Sequence, residues 1–293
     1  MIRALLLTSR PLSWVNTAFP FAAAYVVATG RVDLTLVVGT VFFLVPYNLA
    51  MYGINDVFDY ESDVRNPRKG GLEGALLQPR WHRATLWASG LLALPFIAYL
   101  VAVGSPASWL VLAVSLFAVL AYSVKGLRFK ERPFLDSITS STHFVSPAVY
   151  ALVLVGADAT ASLVALLAAY FLWGAASHAF GAVQDVVADR EAGIGSVATV
   201  IGARATVRLA IILYLLAALL LFAGAVGSRP GDAILAFAAF LPIPYAINAA
   251  PWWNVDDETA PTANRGWKRF LGLNFVTGFL VTMMLILYAV IVV

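Results

Sequence analysis

Asn55-Asp56-Val57-Phe58-Asp59-Tyr60-Glu61-Ser62-Asp63 ends a long apolar stretch in a chain that otherwise avoids charge. Asp185-Val186-Val187-Ala188-Asp189 does the same 129 residues further on, counted from Asp56 to Asp185. Carboxylates at a membrane boundary are costly unless they pair or bind a cation. Two such strings point to one cation-bearing site assembled from two places in the sequence.

The surroundings of both strings are those of a polytopic membrane protein. The chain is 61% hydrophobic and only 12% charged, about half the charge of an ordinary soluble domain. No charged residue lies between Arg83 and Lys125, and none between Phe270 and Val293. The first gap is long enough for two crossings of about 20 residues, broken at Gly104-Ser105-Pro106. The pattern gives an all-α bundle with nine expected spans: 13–30, 34–54, 84–103, 107–124, 135–155, 160–181, 206–226, 233–250 and 270–291. No removable signal peptide is expected, because Arg3 and Arg10 precede the first apolar run without a small-residue cleavage pattern. The chain has no cysteine, which excludes disulfides, thiolate chemistry and cysteine-ligated metal.

Charge orients the bundle. Four short connections, at Gly30–Asp33, Gly104–Pro106, Gly156–Asp158 and Gly227–Asp232, hold Arg31 and Arg229 but no other Lys or Arg. The other connections and the N-terminus hold the rest. The positive-inside rule puts that basic side in the cytoplasm. The N-terminus is then cytoplasmic, and nine spans put the C-terminus outside. Both acidic strings fall on the cytoplasmic face. They follow the second and the sixth span, which hints at four-helix pseudo-repeats over 13–124 and 135–250 with a ninth helix at 270–291, all within one domain spanning 1–293. Prolines inside spans (Pro20, Pro46, Pro95, Pro147, Pro242, Pro244) can kink helices around a central cavity.

If the second span continues as a helix, Asp56, Asp59 and Asp63 stand at i, i+3 and i+7 on one face. Asn55 adds a neutral oxygen, and Asp185 and Asp189 stand at i and i+4. These are hard oxygen donors without a Cys or a His pair, a set that favours Mg²⁺. Mg²⁺ usually bridges carboxylates to substrate phosphate, so the two strings imply a diphosphate. The plain alternative for each string is a solvated loop beside a membrane helix. Cations for a diphosphate are available in Arg65, Arg68 and Lys69, and in the connection Tyr122 to Arg132 with Lys125, Arg128 and Lys130. Positive-inside anchoring accounts for the same residues without function. Asn16, Asn48 and His178 are polar residues within spans, each either lining the cavity or bonding helix to helix. Asp136 stands where it could orient one of the cations, whereas Asp256-Asp257-Glu258 reads as a solvated loop.

With these residues in place, the chain resembles the UbiA superfamily of intramembrane prenyltransferases. That family carries N-D-x-x-D-x-x-x-D after its second helix and D-x-x-x-D after its sixth, here Asn55 to Asp63 and Asp185 to Asp189. The resemblance covers essentially the whole chain. It implies Mg²⁺-bound isoprenyl diphosphate at the cytoplasmic mouth of a central cavity and a lateral opening for a lipid acceptor. The stretch Ser9-Arg10-Pro11-Leu12-Ser13-Trp14 to Pro20 is similar to the carotenoid branch, the lycopene elongases, as is Asp185 to Thr199. The quinone enzymes commonly carry Lys where this chain has Gln184, and often Gly-Asp where it has Glu191-Ala192. The branch implies transfer of a dimethylallyl group to lycopene through an allylic cation, toward C45 and C50 products. It implies Asp56, Asp59, Asp185, Asp189 and Lys125 as catalytic residues, with Arg68, Lys69, Tyr122, Arg128 and Lys130 on the diphosphate. Whether a carotenoid cyclase works beside it stays open, and no nucleic-acid partner is expected. A sister enzyme acting on an aromatic quinone precursor or lipid alcohol is the nearest alternative. A transporter fits less well, because no Asp, Glu, Lys or Arg lies mid-span. A non-catalytic scaffold fits less well because every motif position is filled.

Overall fold

The structure, a computed structural model, describes residues 1–64, 76–225 and 232–292. Every regular element among those residues is a helix, with no strand among them. They divide into two compact units, Met1–Phe129 with Thr142–Ala157, and Lys130–Ser141 with Asp158–Val293.

The first unit holds α1 (Ile2–Thr8), α2 (Val15–Thr29), α3 (Leu34–Leu44), α4 (Pro46–Phe58), α5 (Tyr60–Asp63), α6 (His82–Ala102) and α7 (Pro106–Ser123). Its punctuation follows from local chemistry. Gly30 takes φ 64°, a conformation natural to glycine, and ends α2. Asp33 then caps α3 by accepting from the Leu36 amide, and the Tyr25 hydroxyl donates to the same carboxylate. The Leu36 amide bond, with the Tyr25 bond behind it, holds the Asp33 carboxyl below its ordinary range. Ser105 and Ser108 form a capping box at the start of α7, with Pro106 in the first turn. Pro46 interrupts the expected second span, because its nitrogen has no hydrogen to donate. The carbonyls left over at the end of α3 are collected by side chains: Asn48 Nδ2 donates to Phe43 O and Leu44 O, and Thr17 Oγ1 donates to Phe43 O. In lipid such carbonyls cost several kcal/mol each when unsatisfied. Phe21, Phe42, Phe43, Tyr47 and Tyr150 fill the interior of this unit, with ring centroids from 4.9 Å to 6.2 Å apart. Gly39 lets α3 approach Phe21, since a Cβ there would meet the ring at 2.1 Å.

The next helix, α8 (Leu135–Leu154), gives its first turns to the second unit and the remainder to the first. The second unit continues with α9 (Ala161–Val183), α10 (Val186–Glu191), α11 (Val197–Ile201), α12 (Ala203–Gly224), α13 (Asp232–Ala238), α14 (Ile243–Ala249) and α15 (Asn264–Val292). Its interior gathers Trp173, Tyr214, Tyr245, Trp267 and Phe270. The two tyrosine hydroxyls are satisfied: Tyr245 bonds Asn274 and Thr277, and Tyr214 bonds Ser177.

Six segments among the described residues are long and apolar enough to cross a membrane: Leu34–Phe58, Pro79–Ala102, Pro106–Ser123, Ala161–Val183, Ala203–Gly224 and Ala260–Tyr288. Each matches one expected span. The other three expected spans correspond to different elements. The first is α2, 15 residues long. The fifth is α8, 20 residues long but carrying Asp136 and a run of Ser, Thr and His. The eighth, expected at 233–250, is split into α13 and α14 by turns over 239–242, with Pro242 and Pro244 at the start of the second piece. Proline inside a helix removes one hydrogen bond and clashes with the preceding turn, so a break replaces the expected kink. Phe275, Phe279, Ile286 and Leu287 of α15 are exposed, the surface expected where the surrounding solvent is lipid.

Candidate active site

In both units the acidic motif sits where a long apolar helix breaks into a short one. α4 stops at Phe58, Asp59 adopts φ −101° and ψ −1°, and α5 resumes at Tyr60. α9 stops at Val183, and Asp185 (φ −102°, ψ −3°) stands just before α10. The first row is therefore interrupted at Asp59, whereas the second break falls before Asp185 and leaves Asp185 and Asp189 one helical turn apart.

In the first unit, Asp56 and Asp59 are both buried, and each meets an arginine. Arg10 Nη2 donates to Asp56 Oδ1 at 3.0 Å. Arg128 Nη2 donates to Asp59 Oδ1 at 3.3 Å. Asn55, expected as a neutral oxygen ligand, turns its amide nitrogen to Asp59 Oδ2 (2.6 Å) and Ser123 Oγ (3.0 Å). It thus orients Asp59 and ties the motif to the end of α7. Asp63 closes α5, and its side chain lies outside the described residues, as do Arg68 and Lys69. Beyond α7, Lys125 is exposed and Arg128 half-buried. Tyr122 stands edge-on to His143, centroids 5.3 Å apart. Asn48 is fully buried, donating to Thr17 and to carbonyls of α3, so it binds helices together instead of lining open space. Asn16 is exposed on α2.

In the second unit, Asp185 and Asp189 are half-buried and one turn apart, joined by the Asp189 amide to the Asp185 carbonyl at 2.8 Å. Gln184 accepts from Asn264 and donates to Gly181 O, fixing the end of α9 to the start of α15. Lys130 lies 4.0 Å from Glu131. His178 Nδ1 is 3.2 Å from Ser137 Oγ. Asp136 orients no described cation by a direct contact; fully buried, it accepts from the Val197 and Ser137 amides.

Asp257 also departs from the solvated loop expected of it. It accepts from the Ala203 amide at the start of α12 (2.7 Å) and pairs with Arg190, the residue after Asp189. Those two contacts, the amide first, hold its carboxyl below the usual range. A carboxylate depressed on folding stabilises the protein above its unfolded pKa, and that contribution is lost as pH falls through the folded value. Asp257→Asn is therefore expected to melt below wild type at pH 7 in detergent. The difference should close on acidification below pH ~4, where the unfolded carboxylate takes up its proton. A gap that stayed constant with pH would refute this coupling.

Among the described residues no three His, Asp or Glu side chains gather into one metal-ligand group. Each unit by itself holds two carboxylates, Asp56 with Asp59 in the first and Asp185 with Asp189 in the second. Such pairs fit Mg²⁺, which takes one or two carboxylates and completes its shell with water and phosphate.

These features define an all-helical, multi-pass membrane protein with paired carboxylates at helix breaks. The UbiA prenyltransferase family matches residues 17–274, and the chain belongs to that family. It is 56% identical over 292 residues to the C(50) beta-cyclic carotenoids biosynthesis protein of Dietzia sp., covering 100% of this chain and 66% of that longer protein, just under two thirds of its length. It is 52% identical to the lycopene elongase/hydratase of Corynebacterium glutamicum, over 97% of both chains. Among solved structures it is similar to a UbiA homologue from Archaeoglobus fulgidus bound to GPP and Mg²⁺. That match has a TM-score of 0.71 and 19% identity, covering 94% of this chain and 99% of that one. The same homologue bound to DMAPP and Mg²⁺ matches with a TM-score of 0.70 and 18% identity, covering 93% and 98%.

Arg10, Asp257 and Gln184 were not singled out as site-bearing residues by spacing. Arg10 carried one usable signal. It precedes Pro11, and a residue before proline is driven out of the helical region, so the chain must turn there.

Proposed function

We propose that this protein transfers a dimethylallyl group from its diphosphate to lycopene, extending the C40 chain toward C45 and C50 products in an Mg²⁺-dependent reaction. The observation that carries this reading is the pair of carboxylates presented at each helix break, in a chain whose relatives include lycopene elongase/hydratase enzymes. Mg²⁺, when bound by Asp56, Asp59, Asp63, Asp185 and Asp189, would neutralise the diphosphate as a leaving group. Arg68, Lys69, Lys125, Arg128 and Lys130 contribute further positive charge to that group, and Tyr122 a hydroxyl. The allylic C–O bond breaks with its electron pair going to the diphosphate. Apolar and aromatic side chains exclude water from the resulting cation. The terminal double bond of lycopene attacks, and the new cation loses a proton or takes up water. A hydrocarbon acceptor has no hydroxyl to deprotonate, so its attack on the cation needs no dedicated general base. The concentration of Lys and Arg in one set of connections supports a cytoplasmic face for the site.

Expression in a lycopene-making host tests the acceptor. Pigments should shift from C40 to C45 and C50. An unchanged C40 profile, with prenylation of a naphthoate by purified protein, would replace lycopene with a quinone precursor. Chelating divalent metal from the purified protein should stop diphosphate release, and Mg²⁺ should restore it. Release that persists under chelation would remove the metal from the reading.

A further inference from the structure

Three described residues other than glycine hold a positive φ: Arg10 at 51°, Arg128 at 41° and Phe134 at 69°. Two of the three are the arginines that meet the carboxylates of the first motif. A non-glycine residue in this region costs on the order of 1–3 kcal/mol and persists only where its surroundings hold it. Around Arg10 those surroundings are well defined. Its amide donates to Leu7 O and its carbonyl accepts from Ser13 N at 2.8 Å, so the turn is closed on both sides. Its guanidinium carbon lies 4.2 Å from the centre of the Tyr52 ring. Its Nη2 reaches Asp56 Oδ1, whose side chain has 0% exposure. Tyr52 and Asp56 are one turn apart on α4 and share a face. A single planar guanidinium therefore stacks on one and grips the other.

We propose that Arg10 is a positioning residue for the metal-binding carboxylate: it fixes the orientation of Asp56 so that the motif receives a divalent cation in one geometry. The proposal rests on the reading of the site given above. A guanidinium on Oδ1 does not close the carboxylate to a cation, because the group has about four lone-pair sites. Positive charge on Arg10 opposes the incoming cation, but orientation outweighs that repulsion. Hydrogen-bonding partners of metal ligands typically contribute about 10–100-fold in affinity or activity.

The experiment uses the full-length protein in detergent, with Arg10→Gln, Arg10→Lys, Asp56→Asn and the double variant R10Q/D56N. Mn²⁺ binding is followed by electron paramagnetic resonance in the presence of inorganic diphosphate. Turnover of dimethylallyl diphosphate is measured across a range of Mg²⁺. Arg10→Gln should weaken Mn²⁺ binding about 10–100-fold, with Arg10→Lys between it and wild type. Its turnover defect should shrink as Mg²⁺ rises, whereas a purely structural role would lower turnover equally at every Mg²⁺ concentration. R10Q/D56N should bind Mn²⁺ no more weakly than Asp56→Asn alone, since Arg10 acts through Asp56. If Arg10→Gln fails to fold, Tyr52→Leu, which removes the stack alone, should weaken Mn²⁺ in the same direction, and Tyr52→Phe should not. Unchanged or tighter Mn²⁺ binding in the folded Arg10 variants, while Asp56→Asn loses it, overturns the role of Arg10 and leaves the site intact. So does a double variant whose losses multiply. Wild-type binding in Asp56→Asn overturns both.

Discussion

Asp56→Ala and Asp185→Ala are each expected to lower turnover by about 10³-fold or more, the scale of losing one element of a preorganised electrostatic site. Their effects on stability should differ, and the difference identifies the cause. The Asp56 side chain is wholly buried and pairs with Arg10, whose own side chain keeps 21% exposure. Truncating Asp56 leaves that guanidinium uncompensated, at about 3 kcal/mol, the low end for breaking a buried pair. Asp185 is only half-buried, so its removal should move the melting temperature less. Asp56→Asn separates the two effects: it retains an oxygen for Arg10 but loses the charge that a cation needs. It should fold closer to wild type than Asp56→Ala while remaining as inactive. Turnover in detergent with saturating dimethylallyl diphosphate and Mg²⁺, alongside thermal melting, checks all three. Near-normal turnover in any of them would rule out the carboxylates as metal ligands.

The acidic rows were legible because charge is rare in this chain and so carries information wherever it appears. The helices were legible for a related reason. Apolar blocks of membrane length need no partner to be recognised, and caps such as Asp33 and Ser105 follow local rules. The breaks at Asp59 and before Asp185 were not legible. Helical spacing runs through both motifs without a proline or glycine at the break, so periodicity alone extends each helix. Pro242 and Pro244 did mark the break between α13 and α14, but one proline in a span is commonly only a kink, and two so close together proved decisive. Asn48, Asp136 and Asp257 show the other limit. Each is a polar residue with a partner remote in sequence: Asn48 the Thr17 hydroxyl, Asp136 the Val197 amide, Asp257 the Ala203 amide. Such partners exist only once the helices are assembled. Arg10 was hidden for the same reason, 46 residues from its carboxylate in a segment where positive-inside anchoring already explained an arginine.

Gly195→Ala and Asp136→Ala form the second large expected effect, and both act on the segment that follows Asp189. Within the second unit, residues 194–197 lie against the connection that leads into α8. A Cβ on Gly195 would stand 2.5 Å from the Glu131 carbonyl oxygen. That atom is backbone and cannot rotate aside, so the two segments must separate. Overpacking of this kind typically costs about 1–3 kcal/mol. Two residues on, the Val197 amide donates to Asp136 at 2.8 Å. Asp136→Ala strands that buried donor and the Ser137 amide beside it, for about 1–3 kcal/mol. Either change frees the chain just after the second acidic pair, and displacement of about 1 Å at a reacting site costs on the order of 10²-fold in rate. Both variants should therefore lose turnover as well as stability. Because they release the same segment, the double variant should lose less than the two single losses combined. Asp136→Asn, which retains one acceptor, should recover part of each. Melting temperatures and turnover in detergent decide the matter. Wild-type turnover in a measurably destabilised Gly195→Ala would show that this docking holds the fold without setting the geometry of Asp185 and Asp189.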